Sequence, residues 1–452
     1  MSKPQRREAV PESETLHAQG REEGYRQGLE AGRQAFGVPW PGTSIIIPTF
    51  NKRGYLEACL DSILAHTPEP YEIIVVDNGS SDGTAEMLER RAAELGFGRL
   101  RWRRMGLNAG FAAAVNRGLM MARGEKLLLL NNDTLVAPRW LDNLTACLEG
   151  VPDAGIVGPV TNFISGEQRI DVPYRTIPAM KAWAASFNEP DPGRWRETAR
   201  LTGFCMLMRR GLLGEIGYFD EGYEVGNYED DDFSLRARLA GYRLAIAGDA
   251  FIHHYGNVSI RSIGRRMEAV TVRNRRYFHA KWEGADSLPQ AARPQAAEAA
   301  PGELALYPGG IAAEAADGTL WWLESGRRWR IEGEWTLPSA RLAMPVLRRL
   351  PISAEPVPAE LAAVRWHGLP EAPPLPDVPV DEAVPPPEAV LLPDGSVGLV
   401  EEGRLRRPLN RFVAAGWSLE RRPVRRRLSS AEAEAIPAGA AIAAAPQLRQ
   451  RL

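Results

Sequence analysis

Three short apolar runs in this 452-residue chain each break off into polar residues: SIIIPTF at 44–50, EIIVVDNGS at 72–80 and KLLLLNNDT at 126–134. Apolar runs of this length, without alternation, suit strands buried on both faces. Between them, YLEACLDSILAH (55–66), TAEMLERRAAEL (84–95) and FAAAVNRGLMMA (111–122) carry apolar residues at helical spacing, as at Leu56, Cys59, Leu60, Ile63 and Leu64. RLRWRRM (99–105) supplies a further strand. Strand–helix–strand repetition implies an α/β fold, a mostly parallel sheet covered on both faces, with its chemistry at the carboxyl ends of the strands. The pattern continues through GIVGPV, LTGFCMLMRR and RLAIAGDAFIHHYG, and it ends near YFHAKW (277–282).

The flanks read differently. Residues 1–40 repeat glycine every fourth position, at Gly20, Gly24, Gly28 and Gly32, amid many charges. Each glycine inside a helix costs stability, so this arm is expected to be a marginal helix or disordered. An Ala/Pro-rich linker spans 284–303. Beyond it DGTLWWLESGRRWRI (317–331) aligns with DGSVGLVEEGRLRRPL (394–409), and each copy reads as a hairpin around a tight Glu-x-Gly turn. Two small β-rich repeat modules are expected, at 304–369 and 389–443, joined by a Pro-rich link at 370–388 and followed by a tail at 444–452. The second is rich in arginine from Arg404 to Arg427, where Glu420 is the one acid. Those arginines protect a solvated edge or offer a peripheral contact with an anionic membrane surface.

A net charge of −2 gives no field for nucleic acid as a partner. The three cysteines, Cys59, Cys147 and Cys205, form no CxxC pair, which fits a reducing cytosol. The N-terminal sequence has no apolar signal-peptide core, and no apolar stretch reaches the roughly 18 residues that span a bilayer. The expected location is cytoplasmic, at most peripheral at the inner face of the membrane.

The strand ends hold the candidate chemistry. The first ends in Pro48, Thr49, Phe50 and Asn51, and the second in Asp77, Asn78, Gly79 and Ser80. A carboxylate at Asp77 can accept from a base N–H or ribose hydroxyls, with glycines that let the backbone approach a ligand. The same stretch also reads as a tight turn with Asp82 or Thr84 capping the next helix. Asn108 and Gly110 open the helix from Phe111, and Asn116 within it is either a ligand contact or a core amide. Asn131, Asn132 and Asp133 follow a buried strand. One carboxylate facing a diphosphate suits Mg²⁺ or Mn²⁺, which take oxygen ligands. In YEDDDFSLRARLAGY, four acids run from Glu229 to Asp232. First-turn acids are favoured at a helix N-terminus, and Asp232 and Arg236 stand at i,i+4 spacing. Crowded carboxylates are expected to raise at least one pKa.

IIIPTFN, IIVVDNGSSDGT, GLNAGFAAAVNRG, LLLLNNDT, LTGFCMLMRR, YEDDDFSLRARLAGY and FIHHYG stand in the order and approximate spacing of family 2 glycosyltransferases, over about residues 43–283. The resemblance implies a GT-A fold, a nucleotide-diphosphate sugar donor of UDP or dTDP type, Mn²⁺ or Mg²⁺, and inversion at the anomeric carbon. It is similar to bacterial members that build surface glycans, on a glycan or lipid-linked acceptor. By the same resemblance Pro48–Asn51, Asp77–Ser80, Asn108, Gly110, Phe111, Asn116, Asn131 and Asn132 line the donor. Asp133 and His254 hold metal, with His253 as substitute. Asp230 is the base, Glu229 positions the acceptor or orients the base, and Asp231 and Asp232 cap their helix. Gly203 and Phe204 border the acceptor, where Phe204 or Trp195 would stack on a sugar. The metal motif here is Asn-Asn-Asp, with one carboxylate. A nucleotidyltransferase of similar fold, or a non-catalytic glycan-binding scaffold working through the repeats, are the alternatives.

Overall fold

Strands β1 (Trp40–Thr49), β2 (Tyr71–Asp77), β3 (Leu100–Arg104) and β4 (Gly124–Leu130) alternate with helices α1 (Arg53–His66), α2 (Thr84–Leu95) and α3 (Phe111–Met121). The computed structural model describes residues 39–96, 98–256, 266–283, 306–315, 318–342, 346–347, 350–379 and 383–447. The arm up to residue 38, the linker at 284–303 and the tail from 448 lie outside the described residues. β1, β2 and β3 pair in parallel, with Thr49 in register with Asp77 and Asp77 with Arg104. The register brings three polar strand ends to one rim.

The sheet then turns mixed. After the two-residue strand β5 (Thr134–Leu135) and helix α4 (Trp140–Gly150) come β6 (Ala154–Val160), α5 (Ile177–Phe187), β7 (Trp195–Thr198), β8 (Cys205–Arg209) and α6 (Arg210–Ile216). Helix α7 (Glu229–Leu239), strand β9 (Arg243–Phe251), strand β10 (His253–His254) and helix α8 (Arg266–Trp282) follow. The eight-stranded order is β3-β2-β1-β4-β8-β6-β9-β7, with β8 antiparallel to both β4 and β6 and with β6 and β9 parallel.

Alternation along each strand divides the core in two. Ile46, Ile74, Leu127 and Leu129 face one side with Val115 and Leu119 of α3. Ile45, Ile47, Ile73 and Val75 face the other, with Leu56, Leu60 and Ile63 of α1 and Trp140 of α4. Full burial of each such side chain contributes about 1.5–3 kcal/mol. α3 lies so close to the sheet that a Cβ on Gly118 would stand 2.3 Å from Ile46 Cγ2.

Two β-rich modules form the C-terminal part. One sheet runs β14 (Ser339–Arg341), β11 (Ile311–Glu314), β12 (Leu320–Glu324), β13 (Arg327–Glu332), β15 (Val357–Pro358). The other runs β18 (Arg404–Arg406), β17 (Val397–Glu401), β16 (Glu388–Leu391), β19 (Arg426–Arg427). The two copies of the repeat are the hairpins β12–β13 and β17–β18. Their turn residues have positive φ: 46° and 68° at Ser325 and Gly326, 50° and 74° at Glu402 and Gly403. Such primed turns match the twist of the flanking strands. The tryptophans here are core: Trp322 and Trp329 are fully buried and Trp366 and Trp417 nearly so, so none of these four is a platform for sugars.

These modules share the core of the eight-stranded sheet. Leu306, Tyr307, Trp417, Ile442 and Ala443 belong to the same apolar cluster as Ile216, Tyr218, Phe219 and Phe233. The Glu221 N–H donates to Gln447 O at 2.9 Å, and the Gln447 N–H donates to Asp220 at 3.0 Å.

Candidate active site

The rim of the sheet is tied together residue by residue. Asp77 is fully buried at the end of β2, and its Oδ1 accepts the Ser80 N–H at 2.9 Å. Its Oδ2 has no hydrogen-bond partner and lies 3.8 Å from Arg104 Nε. A buried carboxylate oxygen left open at a strand end is an acceptor held ready for a ligand N–H or hydroxyl. Ser80 Oγ accepts the Asn51 N–H at 2.7 Å, and Asn51 Oδ1 accepts the Ser81 N–H. Phe50 beside it is 41% exposed, so its ring is free to meet a ligand.

Asn78 is a brace. Its Nδ2 donates to Asn108 Oδ1 and Gly110 O, and its Oδ1 accepts the Ala109 N–H. Asn108 does not cap α3; Gly110, with φ of 95°, occupies the N-cap position. Gly83 likewise holds the N-cap position of α2 in place of Asp82 or Thr84. Asp82 instead accepts the Arg53 N–H at the start of α1, and the Thr84 hydroxyl. Gly79 (φ 85°) is required: a Cβ there would stand 3.0 Å from the Leu107 backbone. Asn116 does not reach the rim. It is fully buried, donates to Phe219 O and Glu221 Oε1, and accepts the Phe219 N–H, so the core-amide reading is the correct one.

From Thr49 the chain of contacts runs to the metal candidates. Asn132 Nδ2 donates to Thr49 Oγ1 at 2.7 Å, and the Asn131 N–H donates to Phe204 O. Asp133 Oδ1 lies 3.2 Å from His254 Nε2, both residues nearly buried. β10 pairs with β5, which sets His254 opposite Thr134, and the Tyr255 N–H donates to Asp133 O. Phe163 O sits 2.8 Å from His254 Nδ1. A carbonyl only accepts, so Nδ1 carries the proton and Nε2 of a neutral ring turns its lone pair to the carboxylate. Two facing electron pairs need a proton or a cation between them. The donor set therefore fits a divalent cation, with one imidazole nitrogen and one carboxylate. Among the described residues no group of three or more His, Cys, Asp or Glu converges into a closed cage. His253 is the wrong histidine for this role. Its Nδ1 meets Tyr174 OH at 2.7 Å, and burial, helped by His254, lowers its pKa to about 4.

The acids stand across Phe204. That ring is buried and stacks on His254 with centroids 5.4 Å apart, so it supports the histidine and is not a sugar platform. Trp195 also fails that reading: its Nε1 donates to Asp249 and its ring covers Gly150, on edge strand β7. The Gly203 N–H donates to Asp230 Oδ2 at 2.9 Å, and a Cβ on Gly203 would touch both Phe111 and Asp230 at about 3.5 Å. Metal candidates, base candidate and donor loop thus meet around 203–204.

The acid run is tolerated because its charges are divided. Asp232 accepts from Arg236 at 2.8 Å, Lys281 at 2.6 Å and Trp282 at 2.8 Å, and its pKa is lowered by the Lys281 and Arg236 charges that outweigh its burial. Asp231 pairs with Arg200; burial and the Asp230 charge still lift it to about 6. Neither caps the helix: Tyr228 holds the N-cap position without a side-chain bond. Glu229 has a buried Oε2 without a partner, and burial followed by the Asp230 charge pushes its pKa well up. Cys205 is buried, with its thiol pKa raised by burial, which suits packing and not nucleophilic attack.

Sequence reasoning missed the Asn162–Phe163 clasp on His254, the Arg200 and Lys281 counter-charges, and Asn274. Asn162 Oδ1 accepts the His254 N–H, and its Nδ2 donates to His254 O. These partners lie 92 positions apart in no recognisable motif, so only the fold reveals them.

A family model described as Glycosyl transferase family 2 matches residues 44–217. A PGL/p-HBAD biosynthesis glycosyltransferase of Mycobacterium tuberculosis (strain ATCC 25177 / H37Ra) is 32% identical over 199 residues, 43% of this chain and 69% of that protein. An N-acetylglucosaminyl-diphospho-decaprenol L-rhamnosyltransferase of Mycobacterium tuberculosis (strain ATCC 25618 / H37Rv) is 26% identical over 239 residues, 47% of this chain and 75% of that protein. Among solved structures, a mannosyltransferase from Pyrobaculum calidifontis in complex with GDP-Man and Mn²⁺ aligns at a TM-score of 0.38 and 20% identity, over 55% of this chain and 75% of that one.

Proposed function

The chain belongs to glycosyl transferase family 2, with the GT-A fold, and on that premise we propose a metal-dependent, inverting sugar transfer. The donor is a UDP- or dTDP-sugar and the acceptor a hydroxyl of a growing surface glycan, free or lipid-linked. The observation that carries this reading is the meeting of Asp133 and His254 with Asp230 around Gly203 and Phe204.

Asp77 receives the base or ribose through its open Oδ2, while Phe50 and the Gly79 turn flank the nucleotide. Asp133 and His254 would hold Mn²⁺ or Mg²⁺, which when bound supplies positive charge for the departing diphosphate. Asp230, with each carboxylate oxygen fixed by one backbone N–H, keeps lone pairs for the acceptor hydroxyl proton. As that proton moves to Asp230, the hydroxyl oxygen bonds to the anomeric carbon and the carbon–diphosphate bond breaks on the opposite face. Glu229, its pKa pushed well up by burial and then the Asp230 charge, is suited to donate a hydrogen bond that orients the acceptor. No described helix is long and apolar enough to cross a membrane. The exposed Arg421, Arg425 and Arg427 support a peripheral contact with anionic lipid at the inner membrane face.

The test is a nucleotide-sugar panel read by thermal shift with and without Mn²⁺, followed by product analysis. Metal-dependent stabilisation and release of nucleoside diphosphate are expected; release of pyrophosphate would mark a nucleotidyltransferase instead. Asp133→Asn and His254→Ala should each weaken the metal-dependent shift by about tenfold or more in affinity. Asp230→Asn should keep that shift and lose transfer, and full turnover by this variant removes it from the mechanism.

A further inference from the structure

Loop 224–228 joins the two halves of the site. Val225 O accepts the Phe111 N–H at 3.0 Å, and Val225 N would lie 3.3 Å from a Cβ on Gly110, so the loop rests on the donor side. At its other end the acid turn begins with Glu229. Its backbone is unusual: φ is 62° at Val225, 77° at Asn227 and 75° at Tyr228. A β-branched residue in the left-handed region is an outlier that persists only where the surroundings over-determine it.

What over-determines it is one amide on helix α8. Asn274 is buried; its Oδ1 accepts the Glu224 N–H at 3.0 Å, and its Nδ2 lies 2.9, 3.0 and 3.1 Å from the carbonyls of Glu224, Gly226 and Asn227. Its exposed neighbour Arg273 pairs with Glu224 at 2.8 Å. One side chain thus reads four backbone groups of a strained loop whose ends hold the donor loop and the acids.

We propose that Asn274 is a positioning residue of the transfer: it holds loop 224–228 in its left-handed form and so fixes the distance between donor loop and acid turn. The proposal rests on Asp230 acting as the base. Strain kept for positioning separates stability from turnover, whereas a merely structural amide links them.

The experiment uses the full chain and two variants, Val225→Gly and Asn274→Asp. Glycine accepts positive φ freely, so Val225→Gly relaxes the backbone without removing a hydrogen bond. It is expected to melt within a few degrees of the parent and to release nucleoside diphosphate from UDP-glucose or dTDP-rhamnose, with Mn²⁺, no more slowly than the parent, because the left-handed form is kept. Asn274→Asp keeps the acceptor oxygen and loses the donors, and should lower kcat about tenfold at unchanged donor KM. The double variant should recover part of that loss, because Val225→Gly lowers the cost of the form that Asn274 otherwise holds. Parental kcat in Asn274→Asp, no recovery in the double variant, or losses that only follow the folded fraction, would overturn the proposal. Hydrogen exchange at the Phe111 amide reads the loop without turnover: faster exchange in Asn274→Asp is expected, and unchanged exchange counts against the idea. A parent that releases nothing from any nucleotide-sugar, with Phe111 exchange still responding, sinks the base assignment and leaves the positioning intact.

Discussion

Glu229 shows how far its surroundings can set the behaviour of a single side chain. Burial and the Asp230 charge keep its carboxyl protonated well above the usual value of 4.5, while the unfolded chain ionises it near there. The folded state therefore binds more protons between those two values, and stability falls as pH rises through that window. Glu229→Gln removes the loss. It is expected to melt ~2–4 °C higher than the parent at pH 8, with the difference closing toward pH 4; melting curves offset equally at both pH values would contradict this. Because glutamine keeps a side-chain donor in place of the protonated carboxyl of Glu229, the variant is expected to retain most of its transfer. At this scale the sequence was only partly legible. Asp133, His254 and Asp230 were singled out through motifs that resemble the family's, and the fold brings Asp133 against His254 and Asp230 against Gly203. Phe204 and Asn116 were misjudged because whether a ring or an amide faces solvent depends on residues some 50 to 100 positions away, Phe204 on His254 and Asn116 on Phe219.

Helix α7 is the element where repulsion had to be resolved, and Lys281 of α8 resolves much of it. Its ammonium lies 2.6 Å from both Asp220 and Asp232, all three groups without solvent exposure. Lys281→Met would leave Asp220 and Asp232 with fewer positive partners in a dry setting, a loss expected to cost about 3–5 kcal/mol. Adding Asp232→Asn should recover part of it, and strictly additive losses in denaturant unfolding would show that the charges do not interact. Elements themselves were the most legible part of the sequence. Helices α1 to α3 and strands β1 to β4 follow from local periodicity, and the paired hairpins from their DG and Glu-x-Gly turns. The reversal of β8 between β4 and β6, and the edge placement of β7, depend on pairing between distant segments and leave no local trace.

On the scale of the whole molecule, the β-rich modules complete the catalytic fold's core. A fragment ending at residue 283 would expose Ile216, Tyr218 and Phe219, which now pack in one cluster with Tyr307, Trp417 and Ile442. It is expected to melt well below the full chain or to associate, as large exposed apolar patches do; a fragment equally stable and monodisperse would refute this. The repeat was visible in the sequence because its turns recur, but its attachment was not, since apolar residues in a module do not announce which surface they cover.

Gln447 brings the end of the described chain onto Asp220, one step from the lysine that serves the acid helix. A copy cut before Gln447 would therefore lose a brace on Asp220, so the charge balance beneath the acid helix answers to a segment 227 positions downstream.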